Sequence, residues 1–322
     1  MTVVHLNQQA VAAFPAADGP RIWAVASGKG GVGKSFIASS LGLALSRHDK
    51  RVVLVDLDLG GANLHTCLGI HNPDRTLSDF ISGKHKDIND IVQAIPDTGL
   101  GLVSGASDGL EIANIKHFQK QKIIRNLKQI DADYVILDLG AGTAFNTLDF
   151  FIQAERGIIS VLPDPTSIEN TYRFLKCVLT RRLRDAPGQT RKLMSQVLSM
   201  RHGENRKIRT LASFMTAMDQ LHPEHARLLH GELERQKLHL IVNQVQEPAD
   251  TELGASMATA CSKYFGQNLY YLGHLNHDRQ IVSALKQRRP FLLAFPQSRA
   301  SINLEHMAAS MLDQDTQSFS TC

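Results

Sequence analysis

Residues 22–35 read Ile-Trp-Ala-Val-Ala-Ser-Gly-Lys-Gly-Gly-Val-Gly-Lys-Ser, and three kinds of local structure succeed one another within them. Ile22 to Ala26 is an apolar run of the length and kind that make a buried strand. Ser27 to Gly33 is a glycine-rich turn. From Lys34 onward, Phe36, Ile37, Leu41 and Leu45 recur at helical spacing. Strand, loop and helix in this order fit the P-loop pattern, Gly28-x-x-x-x-Gly33-Lys34-Ser35. Glycines let backbone N–H groups point inward at phosphate oxygens where a Cβ would obstruct them. The helix N-terminus adds partial positive charge at the same point. Lys34 is placed to reach the β- and γ-phosphates, and the Ser35 hydroxyl to ligate Mg²⁺. The cradle set is Gly28, Gly30, Gly31, Val32, Gly33, Lys34, Ser35 and Phe36.

Moving outward, two more strand ends carry acids. Val52 to Val55 is a continuous apolar run followed by Asp56 and Asp58. In open parallel sheets the ligand crevice lies at the carboxyl ends of the strands. Asp56 is therefore a candidate for the magnesium-water shell and Asp58 for holding an attacking water, with turn-forming aspartates as the alternative. Asp133-Tyr-Val-Ile-Leu-Asp138 repeats the pattern, and Gly140-Ala-Gly142 follows as a flexible loop suited to sensing a γ-phosphate. Asp138 fits a Walker B carboxylate.

The chain has 322 residues, 43% hydrophobic and 20% charged, with net charge +4. The length suits one large α/β domain or two small ones, the composition fits a soluble globular protein, and the charge is too mild to imply nucleic acid on its own. Cys67, Cys177, Cys261 and Cys322 are scattered, without a Cys-x-x-Cys pair. That argues against a zinc ribbon, a disulfide framework and an iron–sulfur cluster, and points to the cytoplasm. No stretch reaches the roughly 18 apolar residues of a membrane span. Residues 1–20 read as a mobile lead-in or a short partner-binding segment.

Lys29 inside the loop is not required by an ordinary P-loop. The run Lys29-Gly-Gly-Val-Gly-Lys-Ser35 resembles the deviant Walker A motif of the MinD/ParA ATPases. Val55-Asp-Leu-Asp-Leu-Gly-Gly-Ala-Asn63 is similar to their switch I segment, nearest to the flagellar-number branch of FlhG and FleN. Asp138 to Thr143 resembles their switch II, and Asp164-Pro-Thr-Ser-Ile168 resembles a segment that faces the dimer partner. The resemblance implies an ATP- and Mg²⁺-dependent sandwich homodimer that opens on slow hydrolysis, with possible recruitment to a cell pole. It makes Lys29 the lysine that contacts the partner subunit's nucleotide, and Lys29, Lys34 and Asp58 the catalytic set. Ser35, Asp56 and Asp138 serve the metal, and Asn243, at the end of Leu238 to Val242, hydrogen-bonds adenine. A polar strand-end residue is the alternative for Asn243. Asn276 stands where the family usually has proline.

The expected architecture is one mostly parallel, doubly wound sheet over residues 21–322, with helices on both faces and a helical insertion at 181–237. Thr166 or Ser167 is expected to cap the helix after Pro165. Between residues 181 and 209 nine lysines and arginines face two acids, a net +7. Ile208, Leu211, Phe214, Met215, Met218 and Leu221 follow helical spacing. Three readings fit: a hairpin packed on the body, a dock for an acidic protein partner, or contact with nucleic acid or a membrane surface. His222, His225 and His230 lack the companions of a metal site. Residues 300–322 hold no Lys or Arg, so no basic membrane helix is expected there. The functions in competition are an ATPase switch for flagellar placement or number, a weakly hydrolysing module that sequesters a regulator, and a DNA- or cargo-partitioning ATPase.

Overall fold

A computed structural model describes residues 19–105, 115–184, 186–199 and 208–317. The expected lead-in over 1–20 lies almost wholly outside the described residues. So do Asp185, Arg201, Glu204, Arg206 and Lys207 of the basic segment, and Cys322.

The apolar runs become strands of one sheet. β1 (Arg21–Ala26), β2 (Val52–Leu57), β5 (Tyr134–Leu139) and β6 (Arg156–Val161) are buried along almost their whole length. That is the condition of parallel strands covered on both faces. With β3 (Gln93–Ile95), β4 (Leu100–Val103), β7 (Lys237–Val245) and β8 (Leu269–Asn276), the order is β3-β4-β2-β5-β1-β6-β7-β8. All neighbouring pairs are parallel except β3 with β4. The antiparallel edge strand β3 is too short and polar to have stood out in the sequence.

Helices cover both faces, as expected. On one side α1 (Lys34–Arg47) packs with α13 (Arg299–Gln317), α2 (Leu64–Cys67), α11 (Arg279–Lys286) and α12 (Phe291–Ala294). On the other lie α3 (Leu77–Ser82), α4 (His117–Leu127), α5 (Phe145–Phe151), α6 (Pro165–Arg184) and α10 (Leu253–Phe265). No described helix is long and apolar enough to cross a membrane.

The insertion joins this second face. It contributes the end of α6, then α7 (Gly188–Ser199), α8 (Leu211–Leu221) and α9 (Pro223–Glu234). Phe214, Met215 and Met218 are buried in the same core as Val178 and Leu229, while Leu221 is exposed. Two of its arginines are structural. Arg181 pairs with Asp149, and buried Arg182 donates to the carbonyls of Ile152 (3.0 Å) and Glu232 (3.1 Å) and to Gln236 Oε1 (2.9 Å). The insertion is thus a packed layer, and replacing all of 181–237 by a linker would uncover part of the core.

Candidate functional site

The P-loop leaves β1 and enters α1, which packs over β1, β5 and β2 on one face of the sheet. Gly33 is the residue before the helix, at φ 88°, a left-handed conformation that favours glycine. It has no side chain to cap the helix, so the N–H groups of Lys34, Ser35 and Phe36 are left open for an anion. The first helical hydrogen bond runs from Ile37 N–H to the Gly33 carbonyl at 2.9 Å. Gly28 is forced by contact: a Cβ there would lie 2.2 Å from the Asn170 carbonyl oxygen of α6. The loop is thereby seated on α6.

Its apex is pinned from two neighbouring strands. The Val32 carbonyl accepts from Ser160 Oγ of β6 at 3.0 Å and from Asn243 Nδ2 of β7 at 2.8 Å, all buried. Asn243 Oδ1 in turn accepts from the Gln244 N–H. The Asn243 side chain therefore holds the loop in this conformation, close enough that a Cβ on Gly33 would lie 2.4 Å from its Nδ2. The sequence reading missed Ser160; its signal was a lone hydroxyl inside the apolar run Ile158-Ile-Ser-Val161. Phe36 turns its side chain into the core, edge-on to Phe291 at 5.3 Å, which leaves only its backbone for a phosphate.

The two lysines separate. Lys34 is buried. Lys29 keeps its ammonium at the rim, 3.0 Å from Thr166 Oγ1 and 3.4 Å from Asp164 Oδ1, with about 39% of its side chain exposed. Asp164 also accepts from the Ser167 N–H at 2.9 Å. The cap of α6 is therefore Asp164, and not Thr166 or Ser167, because Pro165 opens the helix two or three residues earlier than those caps would. Hydrogen bonds from Thr166 and Ser167 hold the Asp164 carboxyl below the usual carboxylate range.

The three aspartates lie at adjacent strand ends, Asp56 opposite Asp138 in the β2–β5 register. They differ in what they hold. Asp56 is fully buried, yet its oxygens accept from the Asp58 and Leu64 N–H groups, both at 3.1 Å. This favours the turn-forming role, in which Asp56 shapes the 58–64 loop. Burial pushes its carboxyl up, and those two amides partly offset the rise. Asp138 is equally buried, and neither of its oxygens makes a hydrogen bond. Burial and then the Asp56 charge drive it well above the usual range, against the opposing influence of Ser35 and Lys34. Asp58 sits at the mouth, its Oδ1 3.2 Å from where a Cβ on Gly140 would be, so it touches the loop after β5. That loop is tied to the P-loop by Gly142 N–H donating to the Ser27 carbonyl at 2.9 Å.

A buried carboxylate without a partner, facing a hydroxyl and an ammonium at an open helix N-terminus, is chemically suited to a hydrated divalent cation on a phosphate. Ser35 and Asp138 fit that group. Among the described residues no cluster of three or more His, Cys, Asp or Glu could hold a metal by itself. His225 instead bonds Thr190 and His230 bonds Asp219.

Comparison with known proteins agrees with this geometry. The chain is 27% identical over 290 residues to the antiactivator FleN of Pseudomonas aeruginosa, covering 89% of this chain and 85% of FleN. It is 31% identical over 158 residues to the flagellum site-determining protein YlxH of Helicobacter pylori, spanning 48% of this chain and 52% of that one. The fold matches MinD of Pyrococcus horikoshii, solved with Mg-ADP, with a TM-score of 0.61 at 18% identity over 91% of this chain and 96% of that one. Residues 23–291 match the CobQ/CobB/MinD/ParA nucleotide binding domain. With an uncapped P-loop helix, a second loop lysine and an unpaired strand-end aspartate already in place, the chain belongs to the CobQ/CobB/MinD/ParA family and is an ATPase of its MinD/ParA type.

Proposed function

We propose that this chain is an ATP-driven switch that dimerises on binding nucleotide and reopens on slow hydrolysis. The observation that carries the reading is the separation of the lysines. Lys34 is buried in the cradle, while Lys29 stands at the rim on Asp164 and Thr166, where the phosphates of a second copy can reach it. In this reading the open N–H groups of α1 and Lys34 bind the triphosphate. Asp58, between the loop after β2 and the loop after β5, orients the attacking water. Magnesium held by Ser35 and, through water, by Asp138 would neutralise phosphate charge as the bond breaks. Asn243 at the loop apex is the candidate for the base: its Nδ2 spends one hydrogen on the Val32 carbonyl and its Oδ1 one lone pair on the Gln244 N–H, which leaves one donor and one acceptor for adenine.

The task we propose is spatial or numerical control of flagella, supported by the likeness to FleN and YlxH. The name antiactivator favours a variant of this reading, in which the ATP form acts chiefly by binding a regulator and turns over little. Lys29→Ala should still bind ATP, because Lys34 remains, but should stay monomeric in sedimentation with ATP and lose most turnover. Dimerisation equal to wild type would remove Lys29 from the partner site.

A further inference from the structure

At the far end of α6 from the P-loop, about 30 Å along its 20 residues, the insertion builds a second site. A cavity of about 660 Å³ opens between α6, α7, α8 and α10. Its floor is apolar: Leu183, Met194, Ile208, Leu211, Phe214 and Phe265. At its mouth Leu198 and Tyr264 are 41% and 48% exposed. Around this floor stand Lys176, Arg184, Arg191 and Arg209, and among the described residues none of the lining is acidic. Lys176, Arg184 and Arg191 are exposed and form no ion pair with the described residues, unlike Arg181 and Arg182 nearby, which are spent inside the fold.

We propose that this cavity is a docking site for an acidic amphipathic segment of a partner protein. The apolar face of the segment fills the floor, and its carboxylates meet the basic rim. Charge complementarity selects this occupant. An apolar floor offers nothing to a nucleic-acid backbone, and a basic rim repels a second basic surface of the same kind. The adaptable thioether of Met194 suits a floor that must take up side chains of varied shape. The rim charges speed encounter and the floor sets residence time, as in other helix-in-groove recognition. The site lies outside the P-loop, so it adds a recognition surface to the switch and stands or falls separately from nucleotide chemistry.

The test uses the full chain and two fluorescein-labelled peptides of about 18 residues, one with leucines at helical spacing among glutamates, the other with lysines replacing the glutamates. Anisotropy should show saturable binding of the acidic peptide, weakening as NaCl is raised, and no binding of the basic one. Arg184→Glu combined with Arg191→Glu should weaken it at least about tenfold. Leu198→Asp, which leaves the rim untouched, should weaken it similarly. Circular dichroism melts and ATP titrations of these exposed-site variants should match wild type. Equal binding of both peptides, or no response to either variant, overturns the proposal. So does a labelled DNA duplex that binds more tightly than the peptide and is lost only in the arginine variant. Self-association in sedimentation that Leu198→Asp abolishes would also overturn it, assigning the face to a second copy.

Discussion

The two ends of the same sheet bury charge in opposite ways. At the amino ends of β1, β5 and β6, Arg156 is almost fully buried, and its guanidinium is matched on every side. It donates to Asp315 of α13, through Nε at 2.8 Å, to Gln314 Oε1 at 3.0 Å and to the Met311 carbonyl at 3.3 Å. Asp315 also receives Arg21 at 2.8 Å and the Tyr134 hydroxyl at 3.2 Å. At the carboxyl ends Asp138 is just as buried, and neither of its oxygens makes a hydrogen bond, with the nearby Ser35 and Lys34 to oppose the cost. The first arrangement fixes a helix, the second leaves a buried carboxyl without a hydrogen bond. A buried charge that is paired contributes to structure, and one left unpaired is a cost that protonation or a bound group removes.

That contrast can be broken from either side. The largest effect should come from Asp315→Ala, which strands Arg156 inside the fold and should cost about 3–5 kcal/mol, read as a lower midpoint in urea. A loss below about 1 kcal/mol would mean that water already serves this end of the sheet.

The next effect is one of pH. His239 is buried beside Arg156, its Nε2 accepting from that guanidinium at 3.0 Å. Burial, then the Arg156 charge, holds its pKa down to about 4 from the ordinary 6.5. As pH falls, the unfolded chain takes up the proton first. Stability should therefore be complete above about pH 6.5 and decline toward pH 4, by roughly 2–3 kcal/mol from this residue. His239→Gln should flatten that part of the profile. An unchanged slope would place the acid sensitivity elsewhere.

At the other end Asp138→Asn should raise the thermal midpoint of the ligand-free protein, by about 1 kcal/mol in stability, while weakening magnesium-dependent nucleotide binding. The gain should be larger at pH 8.5 than at pH 6, because burial keeps the acid neutral at the lower pH. A destabilised variant would show that the unpaired carboxylate has a structural role after all.

The smallest effect should follow Ser160→Ala. It removes one of the two hydrogen bonds on the Val32 carbonyl and leaves that of Asn243, a loss of about 1 kcal/mol, with a modest loss of nucleotide affinity measured by titration.

The sequence by itself determined the strand–loop–helix motif and the acids at the strand ends, because both depend on local order. Apolar runs of strand length, a glycine turn and a helix N-terminus must be contiguous to work, so Gly28 to Ser35, Asp56, Asp58 and Asp138 could be read along the chain. The doubly wound sheet followed from the same alternation of strand and helix. What could not be read was everything that joins distant segments. Asp315 looked like one acid in a tail without basic residues; only its approach to Arg21, Tyr134 and Arg156 makes it an anchor. The basic stretch after residue 180 looked uniform, and packing divided it into buried ties such as Arg182 and an exposed rim such as Arg191. Asp56 and Asp138 end their strands alike, and the backbone of the 58–64 loop folding back satisfies one and leaves the other open. Local order reveals which groups are available. Which of them are paired depends on neighbours that the chain brings from far away, so that decision belongs to the tertiary structure alone.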